Sequence, residues 1–351
     1  MEQATVAYDA RFLQPKTRHW GVGVFIDNIV ERLKPDYYFK GLAQRFPGAS
    51  EQGFRTWPSV SRLNRLVFEV SPLFAADFHL YWGTTHFLPQ FLKQPSVLTV
   101  HDMLLLNHIE DGSFAPFLAS RFRSSLRRAT KIVTDSQTTA DDLIADFPEF
   151  KKKIEVVLLG YDGPRDGNDA NTIDGDFPSC PYAVVLGCHR PRKNLSLALA
   201  TVAKVRERGV EMRLLITGDI HPSFQQMLQN GTGWVRQLGV LPKHKVFALL
   251  RKAVCLLFPS RYEGFGFPIL EAMAAGCPVL ALDIPINREI GGAAACLLPD
   301  DPEKWAEACI RILRVEDARE GMRSKGIENL KRFSWDKAAD SYGQIFKEVA
   351  R

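Results

Sequence analysis

Residues 259–279 read PSRYEGFGFPILEAMAAGCPV, and this stretch carries the strongest pattern in the chain. The apolar run before it, residues 253–258, predicts a buried parallel strand because it is short and does not alternate. Gly264 and Gly266 predict a loop whose backbone can lie close to a ligand. Pro268 predicts the first position of a helix, which the following Gly-Cys-Pro closes. A glycine turn before a helix offers free N–H groups and the positive end of the helix dipole, so the stretch predicts an anion site.

Two carboxylates flank this anion site. Glu263 precedes the glycine loop, and Glu271 lies one turn into the predicted helix. An anion site between two acids suits a ligand that has both phosphate and hydroxyl groups, such as a nucleotide sugar.

The spacing of these two glutamates carries a resemblance to a known family. They lie eight residues apart around Gly-Phe-Gly-Phe-Pro, and Glu-Ala-Met-Ala-Ala-Gly-Cys-Pro-Val follows. The stretch resembles the E-x7-E signature of retaining GT-B glycosyltransferases of family 4. The alternative for the bare spacing is a strand, turn and helix that only pack together.

The resemblance implies an α/β protein of the GT-B fold, in which two Rossmann-like doubly wound domains face a cleft. The donor would lie in the C-terminal domain and the acceptor mainly against the N-terminal one. Glu263 is implied to bind sugar hydroxyls as one of two catalytic residues, and Glu271 to bind the ribose. The residues between them are implied to contact the donor: Gly264, Phe265, Gly266, Phe267, Pro268 and Ile269.

Length and composition bound the class of protein. A chain of 351 residues fits two domains, and contents of 46% hydrophobic and 24% charged residues are those of a soluble globular protein. A net charge of +5 fits anionic ligands or an anionic membrane surface and is weak evidence for nucleic acid. No apolar run is long enough to span a membrane and no signal-peptide pattern is present, which predicts a cytoplasmic protein, with peripheral contact at the membrane face as an extension. Six scattered cysteines without a C-x-x-C spacing predict buried thiols.

The domain boundaries follow from a break in composition. Residues 162–181 are rich in Gly, Asp, Asn, Pro and Ser, which predicts a linker. Strands alternate with helices in residues 1–161 and again in residues 182–334, which predicts two doubly wound domains. Residues 335–351 predict a final helix, and the resemblance implies that it crosses back onto the N-terminal domain.

Two stretches of the N-terminal half bear on function. The strand at residues 97–100 ends at His101-Asp102, at the strand end where ligands of open α/β sheets bind. The resemblance places His101 beside the reacting sugar as the second catalytic residue, and Asp102 is expected to hold the loop together. Earlier in the chain, Gly21-Val22-Gly23 predicts a turn before a helix at residues 24–33. A third glycine of a dinucleotide fingerprint is missing. The resemblance implies that the N–H of Gly23 reaches the donor phosphates, and an ordinary turn is the alternative.

Three further stretches of the C-terminal half bear on the donor. Arg192-Lys193-Asn194 follows a predicted strand and precedes a helix, so two cations lie where a diphosphate would bind. The preceding His189 and Arg190 receive no role. By resemblance Val240 and Leu241 contact the base, with a buried loop as the alternative. Residues 283–289 predict a loop, in which Asn287-Arg288-Glu289 is a local variation near the donor.

A basic amphipathic helix is predicted at residues 114–129. Its four arginines suit an anionic lipid surface, and acceptors in the resembled family are often lipid-linked. The alternative, a core-packed helix with a solvated charged face, is favoured.

The implied reaction is transfer of a hexose from a nucleoside diphosphate sugar, with retention and by front-face substitution. No D-x-D lies in a suitable loop, so no metal or other cofactor is expected. The central stretch, with Asp9-Ala10-Arg11, resembles bacterial mannosyltransferases of polysaccharide assembly such as those of O-antigen and lipopolysaccharide, which favours GDP-mannose or a related GDP-sugar and a glycan or lipid-linked acceptor. The alternatives are a UDP-glucose or dTDP-rhamnose transferase, a GT-B nucleotide-sugar epimerase, and a non-catalytic nucleotide-sugar-binding subunit.

Overall fold

Each half of the chain forms its own parallel sheet. The computed structural model describes residues 3–13, 21–44, 55–57, 78–90, 92–104, 106, 115–163, 178–188, 190–224 and 233–351. These residues divide into two units, Met1–Gly160 with Ser334–Arg351, and Tyr161–Phe333. Residues 164–177 of the predicted linker and His189 lie outside the described residues.

The strands of the first unit, as far as they are described, are β1 Ala4–Asp9, β2 Tyr37–Gln44, β3 Arg55–Trp57, β4 Leu80–Gly83, β5 Ser96–Val100, β6 Lys131–Thr134 and β7 Ile154–Val156. Their order in the sheet is β3-β2-β1-β4-β5-β6-β7, and all pairs are parallel. The order reverses between β1 and β4, which is the kind of switch point where open α/β sheets bind ligands. β4 and β5 are buried along their whole length, as parallel strands covered on both faces are.

The second sheet repeats this plan. Its described strands are β8 Tyr182–Cys188, β9 Arg213–Ile220, β10 Val235–Gly239, β11 Cys255–Phe258, β12 Val279–Leu282 and β13 Ala295–Leu298. The order is β10-β9-β8-β11-β12-β13, again parallel throughout. Here the switch point lies between β8 and β11, so the loops that follow these two strands come together at one edge of the sheet.

The helices in the described part of the chain are α1 Gly21–Leu33, α2 Ala115–Arg128, α3 Gln137–Asp146, α4 Leu195–Glu207, α5 Lys243–Lys252, α6 Phe267–Ala274, α7 Pro285–Gly291, α8 Pro302–Arg314, α9 Glu316–Leu330 and α10 Trp335–Val349. Among these residues no helix combines the length and the apolar character that crossing a bilayer requires.

The last helix, α10, belongs to the first unit. Ser334 caps its start by accepting a hydrogen bond from the N–H of Lys337 at 3.3 Å. Tyr342 is fully buried, and its ring lies 5.5 Å from that of Phe25 and 5.4 Å from that of Trp82. The helix is therefore part of the hydrophobic core over β4 and β5.

Two predicted loops are helical. Gly21-Val22-Gly23 forms the first turn of α1, so the helix begins three residues earlier than expected. The expected loop at residues 283–289 is mostly α7. Ile286 and Ile290 are buried four residues apart on one face, and this packing outweighs the turn-like composition.

Two strand ends also differ from prediction. Residues 154–160 predict a strand that ends at Gly160. In the structure β7 ends at Val156, because its last partner Thr134 is also the last residue of β6. Residues 182–186 predict a strand and residues 187–194 a loop. In the structure β8 continues through Gly187 to Cys188 after an irregularity in its pairing with β9.

The basic side of α2 is largely engaged within the first unit. Arg123 pairs with Glu149 at 3.1 Å, and Arg128 donates to the backbone oxygens of Leu88 and Pro89. Arg121 lies 5.2 Å from the ring centre of Phe87. Arg127 is exposed. These contacts favour the packed helix over a lipid-facing one.

Candidate functional site

The loops after β8 and β11 meet at the switch point of the second sheet. The first loop contains a 3-10 turn at Pro191–Lys193, and Asn194 follows in the left-handed region at φ 49°. The backbone N–H of Arg261 donates to the carbonyl of Arg192 at 2.9 Å, and Arg192 Nη1 donates to the carbonyl of Tyr262 at 3.0 Å. These bonds tie the two loops together and fix the place of their side chains.

Glu263 lies between two cations from the other loop. Lys193 Nζ is 2.7 Å from its Oε1, and Arg192 Nη1 is 3.3 Å from its Oε2. All three side chains are nearly buried. Burial opposes ionisation of Glu263, but the charges of Lys193 and Arg192 outweigh it and lower its pKa. The cluster holds two positive charges and one negative one, so it keeps a net positive charge for an anion.

The sequence predicted these three residues separately, and the structure brings them into one cluster. Arg192 and Lys193 were expected at a diphosphate and Glu263 at sugar hydroxyls. The salt bridges of Glu263 were not predicted, although they follow once the order of the strands is known. Residues that follow the two strands flanking a switch point lie together even when, as here, 70 residues separate them in sequence.

The start of α6 offers fewer backbone donors than predicted. Gly266 is the capping residue at φ 102°, a conformation that favours glycine. Pro268 is the second helical residue, not the first, and has no N–H. The N–H of Ile269 donates to the carbonyl of Gly266 at 3.0 Å. Binding of an anion here therefore depends more on the cations Arg192 and Lys193 than on the free N–H groups of the helix start.

Phe265 and Phe267 form the apolar side of the same loop. Their ring centres lie 5.1 Å apart, and Phe265 also packs edge-on against Phe333 at 5.9 Å. Phe265 is buried, whereas Phe267 is half-buried. The pair fixes the course of the loop between Gly264 and Gly266.

Glu271 is the fifth residue of α6, so it lies at the start of the second turn. Burial raises its pKa, against the opposing charges of Lys243 and Lys193. The pKa of Tyr161 is raised as well, first by burial and then by the charge of Glu271, which places the two groups near each other. The two glutamates of the central stretch thus have pKa shifts of opposite direction.

We expect Glu271→Gln to raise the Tm at pH 7.5. A carboxyl group whose pKa is raised on folding costs stability once the pH exceeds its unfolded value, and the cost vanishes at acid pH where both states are protonated. Each kcal/mol recovered is worth about 2–4 °C for a domain of this size. Thermal unfolding at pH 7.5 and pH 4 measures the effect. A lower Tm at both pH values would contradict it.

The other predicted donor residues lie as follows. Val240, just after β10, is strongly exposed at 68%, and Leu241 is half-buried, so this segment is not the buried loop of the alternative interpretation. Asn287 is fully buried, and its Nδ2 donates to the carbonyl of Leu282 at 2.9 Å. Arg288 pairs with Asp283 at 2.6 Å on the surface. Asn287 and Arg288 thus have structural partners.

His101 follows β5 in the first unit, as predicted, and both of its ring nitrogens face acceptors. Nδ1 lies 2.5 Å from Asp135 Oδ2, and Nε2 lies 2.8 Å from the carbonyl oxygen of Thr84. The ring packs edge-on against Phe25 at 5.2 Å. Burial opposes protonation of His101, but the charge of Asp135 and its hydrogen bond outweigh it and raise the pKa. Asp135 belongs to none of the motifs that the sequence analysis singled out.

Two neighbours complete this group. Asp102 Oδ1 accepts the N–H of Leu104 at 3.0 Å, which is the loop-holding bond expected of it. His86 Nε2 donates to the carbonyl of Asp102 at 2.8 Å, and burial lowers the pKa of His86.

Gly23 is the buried third residue of α1, so the helix itself supplies no acceptor for its N–H. Among the described residues, no three His, Cys, Asp or Glu side chains are grouped to hold a metal ion.

Comparison with known proteins identifies the family. Residues 21–163 match the family model described as Glycosyltransferase Family 4, and residues 180–315 match that described as Glycosyl transferases group 1. The chain is 27% identical over 277 residues to O-antigen chain mannosyltransferase B of Escherichia coli, covering 74% of this chain and 71% of that protein. It is 27% identical over 243 residues to O-antigen chain mannosyltransferase RfbU of Salmonella typhimurium, covering 67% and 65%.

The fold agrees with solved structures. Anabaena Alr3699/HepE, determined in complex with UDP and glucose, superposes with a TM-score of 0.71 over 99% of this chain and 100% of that one, at 16% identity. The two family models together cover most of the chain, and both sheets have a doubly wound strand order, as expected of two such domains. The chain belongs to glycosyltransferase family 4 and has the GT-B fold.

Proposed function

We propose that this glycosyltransferase moves mannose from GDP-mannose to a glycan or lipid-linked saccharide during synthesis of a cell-surface polysaccharide, with retention at the anomeric carbon. The names of the two O-antigen mannosyltransferases support the sugar and the acceptor class. The residues of the second unit support the nucleotide diphosphate.

One observation carries the proposal, namely the cluster of Glu263 with Arg192 and Lys193. Both cations already hold one internal carboxylate, so an incoming diphosphate competes for them with Glu263. Arg192 can bind phosphate oxygens through its planar fork and Lys193 as a point charge. When the phosphates take these donors, the carboxylate oxygens of Glu263 become available to accept hydrogen bonds from sugar hydroxyls.

The proposed reaction is a front-face substitution. The bond between the anomeric carbon and the diphosphate oxygen breaks, and the acceptor oxygen bonds to the same face of that carbon. The acceptor proton passes to the departing phosphate oxygen. Negative charge grows on the diphosphate as it leaves, and Arg192 and Lys193 stabilise it because they are fixed in place beforehand.

Three further roles belong to this proposal. Glu271 binds the ribose hydroxyls, and Val240 and Leu241 contact the base. His101 acts on the reacting sugar as a hydrogen-bond donor, since a ring with both N–H groups donated has no lone pair with which to take a proton.

A thermal-shift panel of GDP, UDP and dTDP with their sugars tests the donor. A ligand at 100 times its Kd adds about 2.7 kcal/mol of stability, or roughly 5–10 °C in Tm. We expect GDP and GDP-mannose to give the largest shifts, and the anomeric proton of the product to show the α configuration of the donor by NMR. Larger shifts with UDP or dTDP sugars would contradict GDP-mannose and assign a UDP- or dTDP-sugar as the donor. Turnover without an acceptor would indicate an epimerase, and binding without turnover a non-catalytic subunit.

Activity is expected to survive EDTA. Arg192 and Lys193 supply the positive charge that the leaving diphosphate needs, so no divalent ion has to be added. The measurement is the initial rate in 5–10 mM chelator (about a tenfold excess or more over residual metal), and we expect it to stay within about twofold of the untreated rate. A loss that Mg²⁺ or Mn²⁺ restores would contradict this prediction.

A further inference from the structure

His101 and Asp135 form a nearly buried ionic pair in the first unit. The two residues follow neighbouring strands, β5 and β6, and lie 34 positions apart in sequence. Asp135 is 2% exposed, and the His101 side chain is 11% exposed. Nδ1 and Oδ2 are 2.5 Å apart, a short charge-assisted contact.

The second ring nitrogen is held as firmly as the first. Nε2 lies 2.8 Å from the carbonyl oxygen of Thr84, which can only accept. A carboxylate and a carbonyl on opposite sides of one imidazole require two N–H donors, and hence the cationic form. Phe25 lies edge-on at 5.2 Å and leaves the ring little freedom to turn.

The carboxylate of Asp135 is not otherwise well satisfied. Its Oδ1 is buried and accepts no hydrogen bond from the described residues. The nearby hydroxyl of Tyr342 pairs with Thr99 Oγ1 at 3.0 Å instead. Burying a charge with half of its acceptor capacity unused is costly unless the remaining contact is strong. Asp135 is therefore poorly explained as a packing residue and well explained as the partner of His101.

The other titratable groups around the ring are few. Asp102 follows His101 in the chain and is engaged with the N–H of Leu104. His86, after β4, has its ring centre 6.5 Å from that of His101 and a lowered pKa, so it stays neutral near pH 7. Tyr342 on α10 is kept protonated by burial and by the charge of Asp135. Asp135 is the group in direct contact that decides the charge of His101.

We propose that Asp135 is a positioning residue, which locks His101 in one orientation with both N–H groups donated and so makes it a cationic hydrogen-bond donor in sugar transfer. That Asp135 holds the His101 ring follows from the geometry of the first unit alone. That the ring acts in sugar transfer rests on the proposed function. The donor function requires that a sugar oxygen replace the carbonyl of Thr84 as the acceptor for Nε2–H. Asp135 then keeps the cation in place while that exchange occurs.

The test uses the full chain with ¹⁵N-labelled histidine. Long-range ¹H–¹⁵N spectra distinguish the cationic ring from both neutral tautomers, and the signals that vanish in His101→Gln assign the residue. In the wild type we expect His101 to be cationic at pH 7.5. In Asp135→Asn, which keeps size and fold, its midpoint should fall by at least one pH unit, about a tenfold loss in proton affinity. Asp135→Glu, which restores a carboxylate, should return part of the shift.

Tyr342→Phe is the matched control. It removes a buried hydroxyl from the same core and costs about 1 kcal/mol of stability, but leaves the contact between Asp135 and His101 untouched. We expect the His101 midpoint to stay within 0.2–0.3 pH unit (roughly twofold in affinity) of the wild type. An unshifted midpoint in Asp135→Asn, or an equal shift in Tyr342→Phe, would overturn the proposal.

Kinetics decide the role in transfer. Asp135→Asn should lower kcat at pH 7.5 by about tenfold with the donor KM within about twofold, and regain activity below the new midpoint. A shifted midpoint with unchanged kcat and pH profile would overturn the positioning role. If no donor sugar is turned over by the wild type, the proposed function fails, and the NMR titration still decides whether Asp135 holds the cation.

Discussion

Glu263→Gln is expected to lower kcat by about a hundredfold to a thousandfold, while Glu271→Gln mainly raises the donor KM. Lys193 and Arg192 keep the carboxylate of Glu263 ionised. A neutral amide at this position cannot stabilise the positive charge that grows at the anomeric carbon. Glu271 would contact the ribose, which changes little during the reaction, so its loss affects ground state and transition state alike.

Steady-state kinetics of both variants, with donor varied and acceptor saturating, measure these effects. The two substitutions are matched, since each exchanges a carboxylate for an amide within the same 21-residue stretch. The assignment is reversed if Glu271→Gln loses more than about a hundredfold in kcat, some 2.7 kcal/mol, while Glu263→Gln stays near wild type.

The second large effect concerns the cations. Lys193→Met or Arg192→Met should weaken GDP binding by about 10- to 100-fold and leave guanosine binding unchanged. Each charge-assisted hydrogen bond to phosphate contributes roughly 1.5–3 kcal/mol, and the nucleoside has no phosphate to lose. Titration calorimetry with both ligands gives the two affinities. Arg261→Met is the control, because Arg261 lies on the neighbouring loop but pairs with Asp300 at an exposed position.

Competition between Glu263 and the diphosphate gives this prediction a second readout. Glu263→Gln removes the internal partner of Lys193 and Arg192, so the variant should bind GDP at least as tightly as wild type even as kcat falls. The double variant Lys193→Met with Glu263→Gln should bind GDP more weakly than the Glu263→Gln single variant, which is the reference for its affinity loss. Equal losses for GDP and guanosine in the single cation variants would refute the phosphate role.

Local patterns in the sequence were enough to predict much of the fold. Residues 235–239 predict a short strand, and β10 has these bounds. The start of α10 at Trp335 was readable from Ser334 as a capping residue. The helix α7 was not readable, since its formation depends on two isoleucines meeting the core and not on local propensity.

The candidate site shows the same division. Glu263, Lys193 and His101 were recognised from local motifs, but their contacts depend on strand order. Asp135 shares no motif with His101 and reaches it only because β5 and β6 are neighbours in the sheet. Contacts that cross from one strand end to the next require the pairing of the strands, which a single sequence does not contain.

The placement of α10 has a consequence for biosynthesis. The first unit is interrupted in sequence by the whole of Tyr161–Phe333, and Tyr342 and Phe346 fill its core against Trp82. A ribosome therefore completes the second unit while the first still lacks its last helix. Until that helix emerges, the nascent chain exposes an apolar groove over β4 and β5, which is the state that chaperones would meet.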